Sequence, residues 1–200
     1  MELPQDVRQF LILNKKTFKL KLHPRYARII QSIIQISPGF IIKEAWQGRS
    51  DGNKDGIVRI EVMIENTQGW NNSIGIADTS CSFAASKRPL DDGNKQKTVR
   101  YFNIGRLDHI TYAKGNRGYA DGQRVAVEVD MTTVTRRATF FVDDIEQPNF
   151  VIGIPEAIRF WASTSDESSF FTVIKFERLI QSTAKGVEGS KALQWGKEWK

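Results

Sequence analysis

Polar and apolar positions alternate with a period of two over much of the chain. From Ile57 to Glu65, Val58, Ile60, Val62 and Ile64 fall on one side and Arg59, Glu61, Met63 and Glu65 on the other. Successive side chains of a strand point to opposite faces, so this pattern predicts a half-buried strand. Val125, Val127, Val129 and Met131 repeat it against Arg124, Ala126, Glu128 and Asp130. Thr139 to Val142, Ile158 to Ala162 and Phe170 to Phe176 are rich in aromatic and branched residues, which suit pleated surfaces. Between these runs lie breaks rich in Gly, Asn and Asp, at 51–56, 92–94, 115–118, 121–122 and 143–144. Such residues tolerate positive φ or bond their own backbone. Short strands with frequent turns predict an all-β chain, an antiparallel two-sheet β-sandwich with at most short helices near the termini.

One stretch fits two periods. Tyr26, Ile29, Ile30, Ile33 and Ile34 form a helical stripe opposite Arg25, Arg28, Gln31 and Gln35. Their β-branching favours a strand instead, and Pro38-Gly39 before Phe40 supplies a hairpin turn. The pattern divides the chain into a basic N-terminal extension over 1–27, a sandwich over 28–183 and a C-terminal tail over 184–200. The tail is expected to be loose or packed on a partner, with Trp195 and Trp199 at the i, i+4 spacing that lets a short helix dock both.

Composition narrows the class. The 200 residues are 40% hydrophobic and 26% charged, an ordinary globular balance. No apolar run approaches the ~20 residues of a membrane span, and the first residues lack a signal-peptide pattern. The expectation is a cytoplasmic or otherwise intracellular protein with no membrane association. The net charge of +6 is concentrated at the front, where Arg8, Lys15, Lys16, Lys19, Lys21, Arg25 and Arg28 face only Glu2 and Asp6 within residues 1–30. That patch suits either a solvated surface or a polyanion such as nucleic acid; too few aromatics are interleaved for a stacking platform, so the solvated face is favoured.

Candidate chemistry largely fails on residue type. Asp51 to Gly56 begins like a calcium-binding loop, but the twelfth position is Val62 instead of glutamate. Glu128 and Asp130 share a strand face, as paired carboxylates of a glycosidase would, yet Thr132 stands where a third acid belongs. His23 and His109 are the two residues with near-neutral bases, at a turn before Pro24 and at a loop or strand end. Cys81 reads as a buried structural thiol, and a lone cysteine builds neither a disulfide framework nor a zinc site. Asn71-Asn72-Ser73 is a glycosylation sequon that needs a secretory route to be used. No catalytic residue, metal or cofactor is expected. Of the five tryptophans, Trp161 reads as core or half-core, while Trp46 and Trp70 beside turns suit either a binding face or a cap over the sandwich end.

From Gly56 to Leu179 the order of pieces resembles the SPRY domain, the core of the B30.2 module. The pieces are Gly56 to Val62, Ile74 to Ala77 followed by a long loop, Tyr101 to Tyr112, Tyr119 to Asp130, Ala138 to Asp144, Ile154 to Ala162 and Phe171 to Phe176. Gln123 departs from the usual Asp after Gly122, and Asp143-Asp144 replaces an Asn-Gly turn; both affect turns more than the sandwich. The resemblance implies a bent pair of antiparallel sheets, no catalytic site, and recognition of a peptide or protein by loops at one edge. Those loops would be Gly69 to Ser73, Asp78 to Lys97 and Ala113 to Asp121. In them Trp70 and Tyr112 are the candidate anchors, with Asn71, Arg88, Arg117 and Asp121 the candidate polar contacts. A non-enzymatic interaction module, an adaptor or subunit of a larger assembly, is therefore the leading expectation. A lectin-like glycan binder and a nucleic-acid binder acting through the basic N-terminus are the alternatives; the oligomeric state is left open.

Overall fold

The computed structural model describes the backbone of Ile41–Gln47 and residues 56–81, 93–165 and 168–199. The ambiguous stretch 26–36, the calcium-like positions 51–55 and Arg88 lie outside the described residues.

Alternation along the chain builds two sheets facing each other. The first is six-stranded, in the order β1 (Ile41–Gln47), β11 (Ala157–Thr164), β3 (Asn72–Asp78), β4 (Thr98–Phe102), β5 (Leu107–Asp108) and β6 (Tyr112–Ala113). The second is seven-stranded, in the order β12 (Phe170–Leu179), β2 (Ile57–Glu65), β7 (Arg124–Asp130), β8 (Arg137–Val142), β10 (Asn149–Ile152) and β13 (Lys191–Gln194), with β9 (Ile145–Glu146) hairpinned onto β8. A 3-10 turn at Lys95–Lys97 is the one helical element among the described residues. Pairing is antiparallel apart from β13, which runs parallel to β10.

The predicted apolar faces meet between the sheets. Val58, Ile60, Val62 and Ile64 of β2 and Val125, Val127 and Val129 of β7 pack in one cluster with Ile74 and Ile76 of β3, Val99 and Tyr101 of β4, and Ile158 and Phe160 of β11. Full burial of each such side chain is worth about 1.5–3 kcal/mol. Tyr101 bridges the layers, with its ring centroid 5.3 Å from Phe140 and 5.4 Å from Tyr119 in edge-to-face contacts.

The opposite faces depart from the half-buried expectation. Arg59, Glu61, Ala126 and Glu128 alternate as predicted yet are themselves buried. Glu61 is flanked by the guanidinium groups of Arg59 (3.3 Å) and Arg124 (3.5 Å), while Arg59 and Glu128 meet the chain after β12, which crosses the outer surface of the second sheet. The Glu128 carboxylate accepts from the Ser182 hydroxyl (2.6 Å), the Thr183 amide (3.0 Å) and the Thr183 hydroxyl. Arg59 donates to Thr183 at 3.0 Å, and Glu146 accepts from the amides of Lys185 (2.6 Å) and Gly186 (3.0 Å). The polar stripe on β2 and β7 is thus a seat for a strap.

The strap leads into β13, which corrects the expectation of a loose or partner-bound tail. Leu193 and Trp199 join the main core. The predicted helix at Trp195 and Trp199 is absent, because the Trp195 amide instead donates to the Ile152 carbonyl at 2.9 Å and continues the pairing with β10. Trp161 is buried as predicted, but on the far face of the first sheet with Ala77 and Cys81.

Candidate functional site

Antiparallel connection places loops at both ends of a sandwich, and at one end they are joined by hydrogen bonds. Asp121, between β6 and β7, accepts from the amide (2.8 Å) and hydroxyl (2.5 Å) of Thr67, between β2 and β3. The Asn103 amide donates to the Asn72 carbonyl at 3.1 Å, and the Tyr119 amide to the Asn103 carbonyl at 2.8 Å. Ser165 and Ser168, beyond β11, donate to the carbonyls of Asn71 (2.7 Å) and Asn66 (3.4 Å). The β2–β3, β4–β5, β6–β7 and β11–β12 connections therefore form one platform. Gly105 permits the tightest contact: it sits at φ +82°, and a Cβ there would lie 2.3 Å from the Asn116 carbonyl oxygen.

Trp70 stands on this platform with 61% of its surface exposed. Its backbone is held: the amide donates to the Thr67 carbonyl (2.8 Å), and the carbonyl accepts from the side-chain amides of Asn103 (3.3 Å) and Asn72 (3.4 Å). Asn71 is exposed beside it. Arg117 is exposed too, while its backbone is fixed by the Gln147 side chain (2.8 Å on the amide) and by the Tyr101 hydroxyl on its carbonyl. Burial pushes the Tyr101 phenol upward, with Arg117 opposing, so Tyr101 stays a neutral donor.

Tyr112 lies on the edge strand β6 and reaches the platform through Arg106. The Arg106 guanidinium covers the Phe102 ring at 5.0 Å and the Tyr112 ring at 5.4 Å, and its charge is balanced by Asp108 at 2.7 Å. Asp121, expected to orient a partner, uses both carboxylate oxygens on Thr67. Trp195 and Trp199 sit away from this end, flanking His109 at centroid distances of 4.8 and 5.3 Å. Sequence reasoning missed Ile104, 62% exposed on the β4–β5 turn, whose signal is an isoleucine set between Asn103 and Gly105.

His23 lies outside the described residues; among those described, the groups considered for catalysis are engaged structurally. Glu128 holds the strap, and Asp130 Oδ1 accepts from the Thr132 amide (2.7 Å) and hydroxyl (2.6 Å). Cys81 is buried; desolvation and Asp78 raise its thiol to about 11, so it is protonated at neutral pH. Among the described residues no group of three or more His, Cys, Asp or Glu side chains is placed to hold a metal ion.

The architecture and the platform define a two-sheet β-sandwich with an ordered loop surface at one end. Among solved structures the chain is similar to the SPRY domain of human HERC1, at 10% identity over 71% of this chain and 82% of that one, with a TM-score of 0.48. It is also similar to peanut lectin with a 9-residue peptide (10% identity, 71% and 82%, TM-score 0.43) and to sheep galectin-11 (10% identity, 73% and 95%, TM-score 0.33). No family model matches the chain, and no curated protein does.

Proposed function

We propose that this chain is a non-catalytic protein-interaction module, an intracellular adaptor or assembly subunit that grips a peptide or protein segment on the loop platform. Trp70 is its central anchor, Ile104 and Tyr112 extend the apolar contact, and Asn71 and Arg117 supply polar contacts at its margin. The observation that carries this is a large exposed indole on a backbone already held by hydrogen bonds. Leaving so much aromatic surface in water forgoes burial energy, and a pre-ordered loop loses little entropy on binding. Tryptophan, tyrosine and arginine are the residue types that dominate binding energy at interfaces.

The test is affinity capture at physiological salt with wild type and a Trp70→Ala/Tyr112→Ala/Arg117→Ala variant, followed by titration of each identified partner against both. A hot-spot anchor is worth 2 kcal/mol or more, so Trp70→Ala alone is expected to weaken binding by about thirtyfold or more. Equal binding by a triple variant that keeps the wild-type circular dichroism spectrum and melting temperature refutes the platform as the binding face. Exposed Trp70 beside exposed Asn71 also suits stacking on a sugar with a hydroxyl contact. A glycan array probed with both proteins separates that second reading.

A further inference from the structure

His109 follows β5 and is fully buried, with a role in neither the platform nor the sandwich core cluster. Its ring lies against the indoles of Trp195 and Trp199. Nδ1 is 2.8 Å from the Thr98 carbonyl oxygen. A carbonyl can only accept, so Nδ1 carries the hydrogen. On the other side the Gly196 amide donates to Nε2 at 2.9 Å. An amide N–H can only donate, so Nε2 is bare. Neutral imidazole protonated on Nδ1 is the species that satisfies both contacts.

A second proton, on Nε2, would face the Gly196 N–H donor to donor and leave that amide without its acceptor. The charged groups on the surrounding elements offer little relief. Arg100 of β4, a like charge, donates to the His109 carbonyl at 3.0 Å. Lys97 precedes β4; on and beside β5, Asp108 is paired with Arg106 at 2.7 Å. Lys197 and Glu198 in the closing turn are exposed, where water screens them. The indoles attract an imidazolium and so oppose release of the turn that carries them, but they cannot supply the acceptor that the Gly196 amide would lose.

We propose that His109 is a proton-operated latch: neutral, it holds the Gln194–Trp199 turn and β13 on the second sheet, and protonated, it lets them go. The turn is also held by the Trp199 amide on the Thr111 hydroxyl (2.6 Å), by that hydroxyl on the Trp199 carbonyl (2.8 Å), by the Trp195 amide on the Ile152 carbonyl (2.9 Å) and by the burial of Trp199 in the core. Release therefore reaches the platform from behind. Thr111 precedes Tyr112, and β10, the partner of β13, carries Asn149, whose amide donates to Asn116 (2.8 Å) and whose side chain donates to the Lys114 carbonyl (2.9 Å). Burial holds His109 below the ordinary imidazole value, with the Thr98 bond opposing and Arg100 reinforcing. A depressed folded value means the unfolded chain takes the proton first. The latch is complete above about pH 6.5 and is lost as pH falls through the folded value.

Hydrogen exchange of the full chain at about pH 7.5 and pH 5, corrected for the intrinsic rate, tests this against a His109→Gln variant, which cannot titrate. Wild type is expected to lose about tenfold or more of its protection at the amides of Leu193 to Lys197. Strands β2 and β7 should stay protected, and the variant should show no such pH dependence. Equal protection at both pH values in wild type, or the same acid opening in the variant, overturns the latch. Should His109→Gln fail to fold, nitrogen-15 NMR of wild type decides. Nε2 must be the bare nitrogen at neutral pH, and its titration must coincide with movement of the Trp199 indole signal; a bonded proton on Nε2, or a titration that leaves Trp199 unmoved, overturns it.

Discussion

Glu128→Ala tests whether the buried polar stripe on the second sheet exists to hold the strap. The substitution removes the acceptor of three donors, the Ser182 hydroxyl and the amide and hydroxyl of Thr183. A hydrogen bond to a charged group contributes about 1.5–3 kcal/mol. Thr183 is exposed and Ser182 half-buried, so water recovers part of the two hydroxyl terms, whereas the amide loses more. The expected loss is about 3 kcal/mol in total. With a urea m-value of about 2 kcal/mol per molar, the midpoint falls by about 1.5 M at unchanged slope. Glu128→Gln keeps one carbonyl acceptor but turns an NH2 toward a remaining donor, and should lose about half as much. Urea unfolding followed by tryptophan fluorescence measures both. A loss below about 0.5 kcal/mol in Glu128→Ala, the range of an ordinary surface substitution, would mean that the strap is seated by β13 and not by Glu128.

Other substitutions probe separate parts of the fold. Gly75→Ala would set a Cβ 1.8 Å from the Val99 carbonyl oxygen in mid-sheet, with Trp161 Nε1 3.2 Å away, so a loss of about 3 kcal/mol or failure to fold is expected; a melting temperature within a few degrees of wild type contradicts the close approach. Asp144→Ala removes ion pairs to Arg59 (2.6 Å) and Arg124 (2.8 Å) at a residue held at φ +63°, and should cost about 1 kcal/mol after allowance for solvent screening. Asp144→Gly, free of that backbone strain, should recover much of it in the same denaturation assay; a glycine variant less stable than the alanine one would show that the turn carries no strain. Cys81, with its thiol raised to about 11, should resist iodoacetamide at neutral pH in the folded chain and react on unfolding in urea; labelling at the rate of a free thiol in the native state would contradict its burial.

The Asp143-Asp144 turn shows how far local sequence reasoning extends. Asn-Gly is the usual pair there because both positions need positive φ. Asp143 at +49° and Asp144 at +63° adopt it regardless and close the β8–β9 hairpin. What sustains the two acids is tertiary: Asp143 accepts from Gln123 (2.6 Å) and the Arg124 amide (3.1 Å), and Asp144 pairs with two arginines. Gln123, the other departure from the SPRY pattern, is itself one of those partners. The substitutions are legible one at a time from the chain, while their mutual contact is not.

By itself the sequence determined the local state of the chain. Period-two alternation over Ile57–Glu65 and Arg124–Asp130 dictated strands and named the side chains that meet between the sheets, because face assignment needs no knowledge of neighbours. The same alternation was silent about the other face. Arg59, Glu61 and Glu128 look solvent-bound in any window of the chain, and they are buried by residues more than fifty positions away. The C-terminal segment was misjudged for a related reason. Glycines, lysines and two spaced tryptophans have no apolar run of their own, and their order comes from β10 and from His109, which lie far off in sequence. At the platform, Trp70, Asn71 and Arg117 could be singled out as turn residues of binding type. Their gathering at one end, the addition of Ile104 and the diversion of Asp121 to Thr67 were decided by strand order, which sets the loops that become neighbours and which the alternation within each strand does not encode.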